Sequence, residues 1–123
     1  MRIDYKNEEN IQYHIVMASS DPNKCDKYEK EEKFVLKATG DGMKNAGILD
    51  GDLLVFADVD EAPNEAIVVV RLNGELTCRR YFSEGNKVRL RREDTQTPDV
   101  IKRKDKCEVL GVLTAVIRSY NYW

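Results

Sequence analysis

Between Ala66 and Arg91 the chain is patterned for one thing, an antiparallel meander. Ala66-Ile67-Val68-Val69-Val70-Arg71-Leu72 is rich in β-branched residues, whose stiff side chains suit a pleated surface. Asn73-Gly74 follows, the dipeptide that best tolerates the two positive φ angles of a two-residue hairpin turn. Glu75-Leu76-Thr77-Cys78-Arg79-Arg80-Tyr81-Phe82 forms the return strand. Glu84-Gly85-Asn86 turns again into Lys87-Val88-Arg89-Leu90-Arg91. That last run alternates charged and apolar side chains strictly, which puts one face in the core and one in water.

The remaining segments extend the same theme. Phe34-Val35-Leu36-Lys37-Ala38-Thr39 is apolar and β-compatible, and Asp52-Leu53-Leu54-Val55-Phe56 is the next run fit for burial. Residues 93–106 are polar and read as a loop. Glu108 to Arg118 is a closing strand with almost no polar interruption; such a strand is covered on both faces, by its own core and by a partner. Short strands at close spacing predict a mainly β domain, a curled sheet or barrel-like fold. Before residue 34 the pattern changes. Ile3 and Tyr5, then Ile11, Tyr13 and Ile15, alternate with polar neighbours, whereas Ser19 to Lys33 is mostly charged. Asp21-Pro22 either starts a short helix or belongs to a solvated linker. The organisation expected is an N-terminal arm or linker over 1–33 and one domain over 34–123. Tyr120, Tyr122 and Trp123 are either a docked tail or a patch for a partner.

Composition excludes several classes of function. The chain has 123 residues and a formal net charge of -2, so it has no global electrostatic reason to wrap a nucleic acid or a membrane. No helix-turn-helix pattern is visible, so direct sequence-specific DNA binding is not expected. No apolar run approaches the roughly 20 residues that cross a bilayer, and the N-terminus lacks the apolar stretch of a secretion signal; a cytoplasmic protein is expected. Cys25, Cys78 and Cys107 are scattered and make neither a metal pair nor a disulfide framework. With His14 the single histidine, no metal and no cofactor are expected.

The chemistry-bearing motif is the glycine-rich stretch Gly40-Asp41-Gly42-Met43-Lys44-Asn45-Ala46-Gly47-Ile48-Leu49-Asp50-Gly51-Asp52. It resembles the nucleophile loop of the LexA and UmuD family of self-cleaving serine peptidases, which reads Gly-x-Ser-Met, a spacer, Gly-Ile or a similar pair, then Asp-Gly-Asp. The Val-Val-Val-Arg strand with its hairpin and the closing Gly-Val-Leu-Thr-Ala-Val-Ile-Arg strand occur in the family's order, so the resemblance runs from about Phe34 to Ile117. It implies the curled β fold of the LexA and UmuD C-terminal domain, homodimers, and a Ser–Lys dyad that cuts the protein's own N-terminal segment, stimulated in active members by RecA filaments. Such a dyad works because a buried lysine is neutral at working pH and takes the serine proton. The motif residues Gly40, Asp41, Met43, Gly47, Asp50, Gly51 and Asp52 are the expected frame of the cleft.

Two departures fall on the reacting residues. Gly42 stands at the nucleophile position, and glycine has nothing to attack with. Counted from Asn73-Gly74, the general-base position is Arg79, whose guanidinium stays protonated. The family's cleavable Ala-Gly or Cys-Gly pair is absent upstream of the loop. Thr39, Ser83 and Cys78 are other possible nucleophiles, but the pattern puts no lysine or histidine beside them. Asp41-Gly42 also reads simply as a turn dipeptide, and Arg79 as a partner for Asp41, Asp50 or Asp52. Arg89, Arg91 and Arg92, with Lys102, Arg103, Lys104 and Lys106, are either a solvated face balanced by Glu93, Asp94, Asp99 and Asp105 or a contact for an acidic partner or phosphates. The function expected is that of a catalytically inactive binding module in the DNA-damage (SOS) response or transcription regulation, homodimerising through Val112, Leu113, Ala115 and Ile117. Its partners by resemblance are RecA, a LexA-like protein or a DNA-damage polymerase. Two alternatives stay open: a self-processing Ser–Lys peptidase altered at the nucleophile or using another dyad, and the C-terminal part of a repressor.

Overall fold

The hairpin forms where Asn73-Gly74 calls for it. In the computed structural model both residues take positive φ, 51° and 82°, joining β5 (Ile67–Leu72) to β6 (Glu75–Glu84) in register from Leu72 opposite Glu75 to Ile67 opposite Arg80. The structure describes residues 2–5, 13–18, 28, 30–94 and 97–119. Asp21-Pro22, Cys25, Tyr120, Tyr122 and Trp123 lie outside the described residues.

The other strands are β1 (Arg2–Tyr5), β2 (Tyr13–Ala18), β3 (Lys33–Thr39), β4 (Leu53–Ala57), β7 (Lys87–Arg91), β8 (Val100–Arg103) and β9 (Val109–Ser119). They form one antiparallel sheet in the order β1-β3-β4-β9-β5-β6-β7-β8, with β2 beside β9. The sheet curls until β1, already paired with β3, also meets β6 at Arg2 opposite Thr77. This is the mainly β, barrel-like architecture expected. Two strands of the 1–33 segment belong to the same sheet as the rest.

One expectation is corrected. Residues 93–106 contain a strand, β8, paired to β7 from Lys87 opposite Arg103 to Leu90 opposite Val100. Four residues that include Lys102 and Arg103 are too short and too charged to show a period, and charge is how edge strands resist further pairing.

Two apolar clusters explain why β5 and β9 are apolar on both faces. Ile67 and Val69 pack with Leu54, Phe56, Cys78 and Val116, while Val68 and Val70 pack with Tyr81, Val88, Leu90 and Val112. A sheet strand buried on both sides has no polar face to show. Each fully buried aliphatic or aromatic side chain contributes roughly 1.5–3 kcal/mol. Val112 is only 3% exposed and leaves no surface for a partner, whereas Leu113, Ala115 and Ile117 are half-buried. Among the described residues no helix is long and apolar enough to cross a membrane.

Candidate functional site

The glycine-rich loop leaves β3 and enters β4, and its acidic residues hold it in shape. The Asp50 carboxylate accepts the Gly40 N–H (2.6 Å), and the Asp52 carboxylate accepts the Leu49 N–H (2.8 Å). Asp52 is 1% exposed and receives both arms of one guanidinium from the far end of β9: Arg118 Nε to Oδ1 at 2.7 Å and Nη2 to Oδ2 at 2.8 Å. Arg118 Nη2 also donates to the Gly47 carbonyl (3.2 Å). Bonding to Asp52 holds the Arg118 guanidinium above its ordinary pKa, against a smaller desolvation effect. A buried charge needs this kind of bidentate partner. Met43 and Ile48 are fully buried in the core, pinning the 3-10 turn Lys44–Ala46 between them. Asp-Gly-Asp and the closing arginine are thus one clamp.

Arg79 does not join it. Its Nε and Nη1 atoms are buried with no hydrogen-bond partner among the described residues; Asp52 bonds Arg118, and Asp50 bonds the loop's own backbone. Neighbouring side chains on a strand project to opposite faces, and Arg80 finds what Arg79 lacks. Arg80 Nε bonds Glu93 Oε1 (3.0 Å) and Nη1 bonds the Glu65 carbonyl (2.9 Å). Desolvation lowers the Arg79 pKa from its ordinary value, and the charge of Arg92 lowers it further; Asp94, Asp99 and Cys78 oppose them.

Arg92 is the residue that sequence reasoning missed, having grouped it with a surface stripe. The Asn45 N–H donates to the Glu93 carbonyl (2.9 Å), which ties the segment after β7 to the glycine-rich loop and swings Arg92 onto Gly42. A Cβ built on Gly42 would lie 2.7 Å from Arg92 Nε and 2.9 Å from Cζ, with Nη2 nearer still. The guanidinium therefore sits where any side chain at residue 42 would go. Arg92 Nε contacts Asp94 Oδ2 at 3.2 Å, an ion pair without hydrogen-bond angles. No local periodicity signals this; it arises from two loops meeting.

Two other members of the stripe are balanced by acids, while Arg91 Nε is buried with no hydrogen-bond partner among the described residues. Arg89 pairs with Glu84 (2.7 Å) and Asp99 (3.0 Å), and Arg103 with Asp105 (3.1 Å). Arg89 and Arg91 both lie 4.4 Å from the centre of the Phe82 ring, a cation–π contact.

The alternative nucleophiles fare differently. Cys78 is fully buried in the core, and burial pushes its thiol up to about 12, so it is an inert apolar residue. Thr39 ends β3, its backbone paired with Arg2. Ser83 corrects an expectation, since the Lys104 ammonium lies 3.4 Å from its hydroxyl. Lys104 is exposed, however, and lacks the burial that a neutral catalytic amine requires.

Arg79 and Arg92 border a cleft of about 520 Å³, closed by Leu72, Thr77, Val100 and Lys102. Its charged lining is mainly cationic, Arg79, Arg92 and Lys102 against the one carboxylate of Glu75.

Residues 3–114 match the sequence profile of the family described as Peptidase S24-like. The chain is 41% identical over 92 residues to the LexA repressor of Clostridium kluyveri, covering 75% of this chain and 45% of the repressor. It is 40% identical over 95 residues to the LexA repressor of Clostridium botulinum, covering 76% and 46%. For the LexA repressor of Clostridium perfringens the figures are 40% over 87 residues, 71% and 42%. The chain thus spans a little under half the length of these curated relatives. A profile match over most of the chain, on the curled antiparallel sheet and the clamped glycine-rich loop, makes this chain a member of the Peptidase S24-like family.

Proposed function

We propose that this chain is a non-cleaving member of its family that works by binding, as a homodimerising module in the DNA-damage response or in transcription regulation. One observation carries the reading: the Arg92 guanidinium fills the space of a side chain at Gly42. Nucleophilic catalysis needs a hydroxyl or thiol within reach of a base. Here the corresponding positions hold a glycine and Arg79, a permanent cation, with a second cation, Arg92, against the glycine. The inert Cys78 thiol supports the same conclusion.

Binding needs none of those atoms. Leu113, Ala115 and Ile117 on β9 are the surface proposed for the homodimer, and by kinship RecA, a LexA-like protein or a DNA-damage polymerase are the proposed partners. Intact mass after long incubation at alkaline pH tests the inactivity; the mass stays at that of the full chain. A shortened product from the unmodified chain, lost in the Ser83→Ala variant, overturns the reading in favour of self-processing by another dyad. Sedimentation tests the assembly: a dimer at micromolar concentration that becomes monomeric on Ala115→Glu is expected. A monomer at high micromolar concentration removes the dimer from the proposal.

A further inference from the structure

The cleft beside Gly42 holds more positive charge than the structure uses. Three observations converge there. Arg79 Nε and Nη1 are buried donors without an acceptor among the described residues, and buried donors of that kind are ordinarily satisfied. The acids close by are already engaged: Asp99 accepts from Arg89, and Asp94 contacts Arg92 while accepting the Thr97 N–H (3.0 Å) and hydroxyl (2.7 Å). A cleft of about 520 Å³ opens directly on Arg79, Arg92 and Lys102.

We propose that this cleft is a carboxylate-binding site for an acidic peptide segment, with the Arg79 and Arg92 guanidinium groups as the fork that grips the carboxylate. The inference rests on the binding-module reading and names the ligand chemistry of the same site. A guanidinium presents paired N–H donors that match the two oxygens of a carboxylate, and such bonds are charge-assisted and short. An anion between Arg79 and Arg92 turns their mutual repulsion into shared attraction, which is the electrostatic reason a ligand belongs there. The cleft's other walls decide which oxyanion. Leu72, Val100 and Ile101 give apolar surface, and Glu75 adds a negative charge at the rim. Glu75 and the Arg92-bound Asp94 stand against Arg79, Arg92 and Lys102, which leaves one positive charge; a singly charged carboxylate balances it, and a dianionic phosphate exceeds it.

The test uses the full chain and arginine side-chain NMR. The probes are the capped peptide acetyl-Val-Asp-Leu-amide, its Asn counterpart, and inorganic phosphate. Saturable shifts of the Arg79 and Arg92 Nε–H signals with the Asp peptide are expected, with exposed Arg71 and Arg103 unmoved. Arg79→Met, which keeps the side chain's bulk and removes one buried charge, weakens binding by at least about tenfold; a thermal melt shows that the variant is folded. The Asn peptide gives no saturation. Equal shifts with the Asp and Asn peptides, shifts shared by Arg71 and Arg103, or unchanged affinity in Arg79→Met overturn the site. Tighter saturation by phosphate overturns its assignment to a carboxylate. Intact mass taken on the same sample reports self-cleavage separately, so failure of the site and failure of the non-cleaving reading are told apart.

Discussion

Two arginines, Arg118 on the glycine-rich loop and Arg79 in the neighbouring cleft, are treated in opposite ways. Arg118 meets a buried carboxylate with both arms and a backbone carbonyl with one of them. Arg79 is held half-buried beside a second cation, with Nε and Nη1 unmatched. The first arrangement is what a fold builds when a charge serves its own architecture. The second leaves a half-buried charge unmatched, which costs stability. The scaffold of the loop is intact, and the chemistry at its mouth is cationic.

Breaking the clamp has the largest expected effect. Asp52→Ala strands Arg118, frees the Leu49 N–H and lowers unfolding stability by about 3 kcal/mol, read as a fall in the urea midpoint at unchanged slope. If the midpoint holds, the clamp is not what shapes the loop. Arg79→Met runs the other way. Replacing an unmatched half-buried charge with an apolar chain of similar length raises stability by about 1 kcal/mol, and a fall of that size means Arg79 has a partner in the free protein.

Gly42 and Arg92 give a third, smaller effect. Gly42→Ser must displace the guanidinium, the far end of a flexible side chain, and costs at most about 1 kcal/mol, whereas the same change in an Arg92→Ala background costs almost nothing. A double-mutant cycle therefore returns a coupling of at most about 1 kcal/mol; additivity shows that the two residues do not compete for space. At neutral pH the smallest effect is at Cys78, which acts only in alkali. Its folded thiol titrates near 12, against an ordinary 9.0. Above about pH 9 the unfolded chain releases this proton and the folded chain keeps it, so stability falls as pH rises through that window and is unaffected below it. Cys78→Ala flattens that alkaline decline, and a thiol reagent labels Cys78 only after unfolding.

How much of this was legible beforehand differs by kind of signal. Strands β5, β6, β7 and β9 were readable because period and turn chemistry are local, and Asn73-Gly74 fixed the register of the hairpin. Strand β8 was not, since four residues with two cations carry no period. The acidic loop residues stood out as a motif, yet which cation each would meet did not. The sequence offers Arg79 a partner in Asp41, Asp50 or Asp52, whereas Arg118, 66 positions from Asp52, takes Asp52. Arg92 looked like one more member of a solvated stripe, and Ser83 looked free of lysine neighbours.

From its sequence alone this protein is a mainly β chain with a glycine-rich loop, a glycine at residue 42 and an arginine at residue 79. Those follow from residue identity and from periods of two, which need no knowledge of distant neighbours. Only the folded sheet decided that Asp52 is neutralised by Arg118, that Arg92 fills the place beside Gly42, and that Arg79 faces a cleft. Each of those depends on loops far apart in the chain being brought within bonding distance, and a desolvated charge acts on whatever the fold puts next to it.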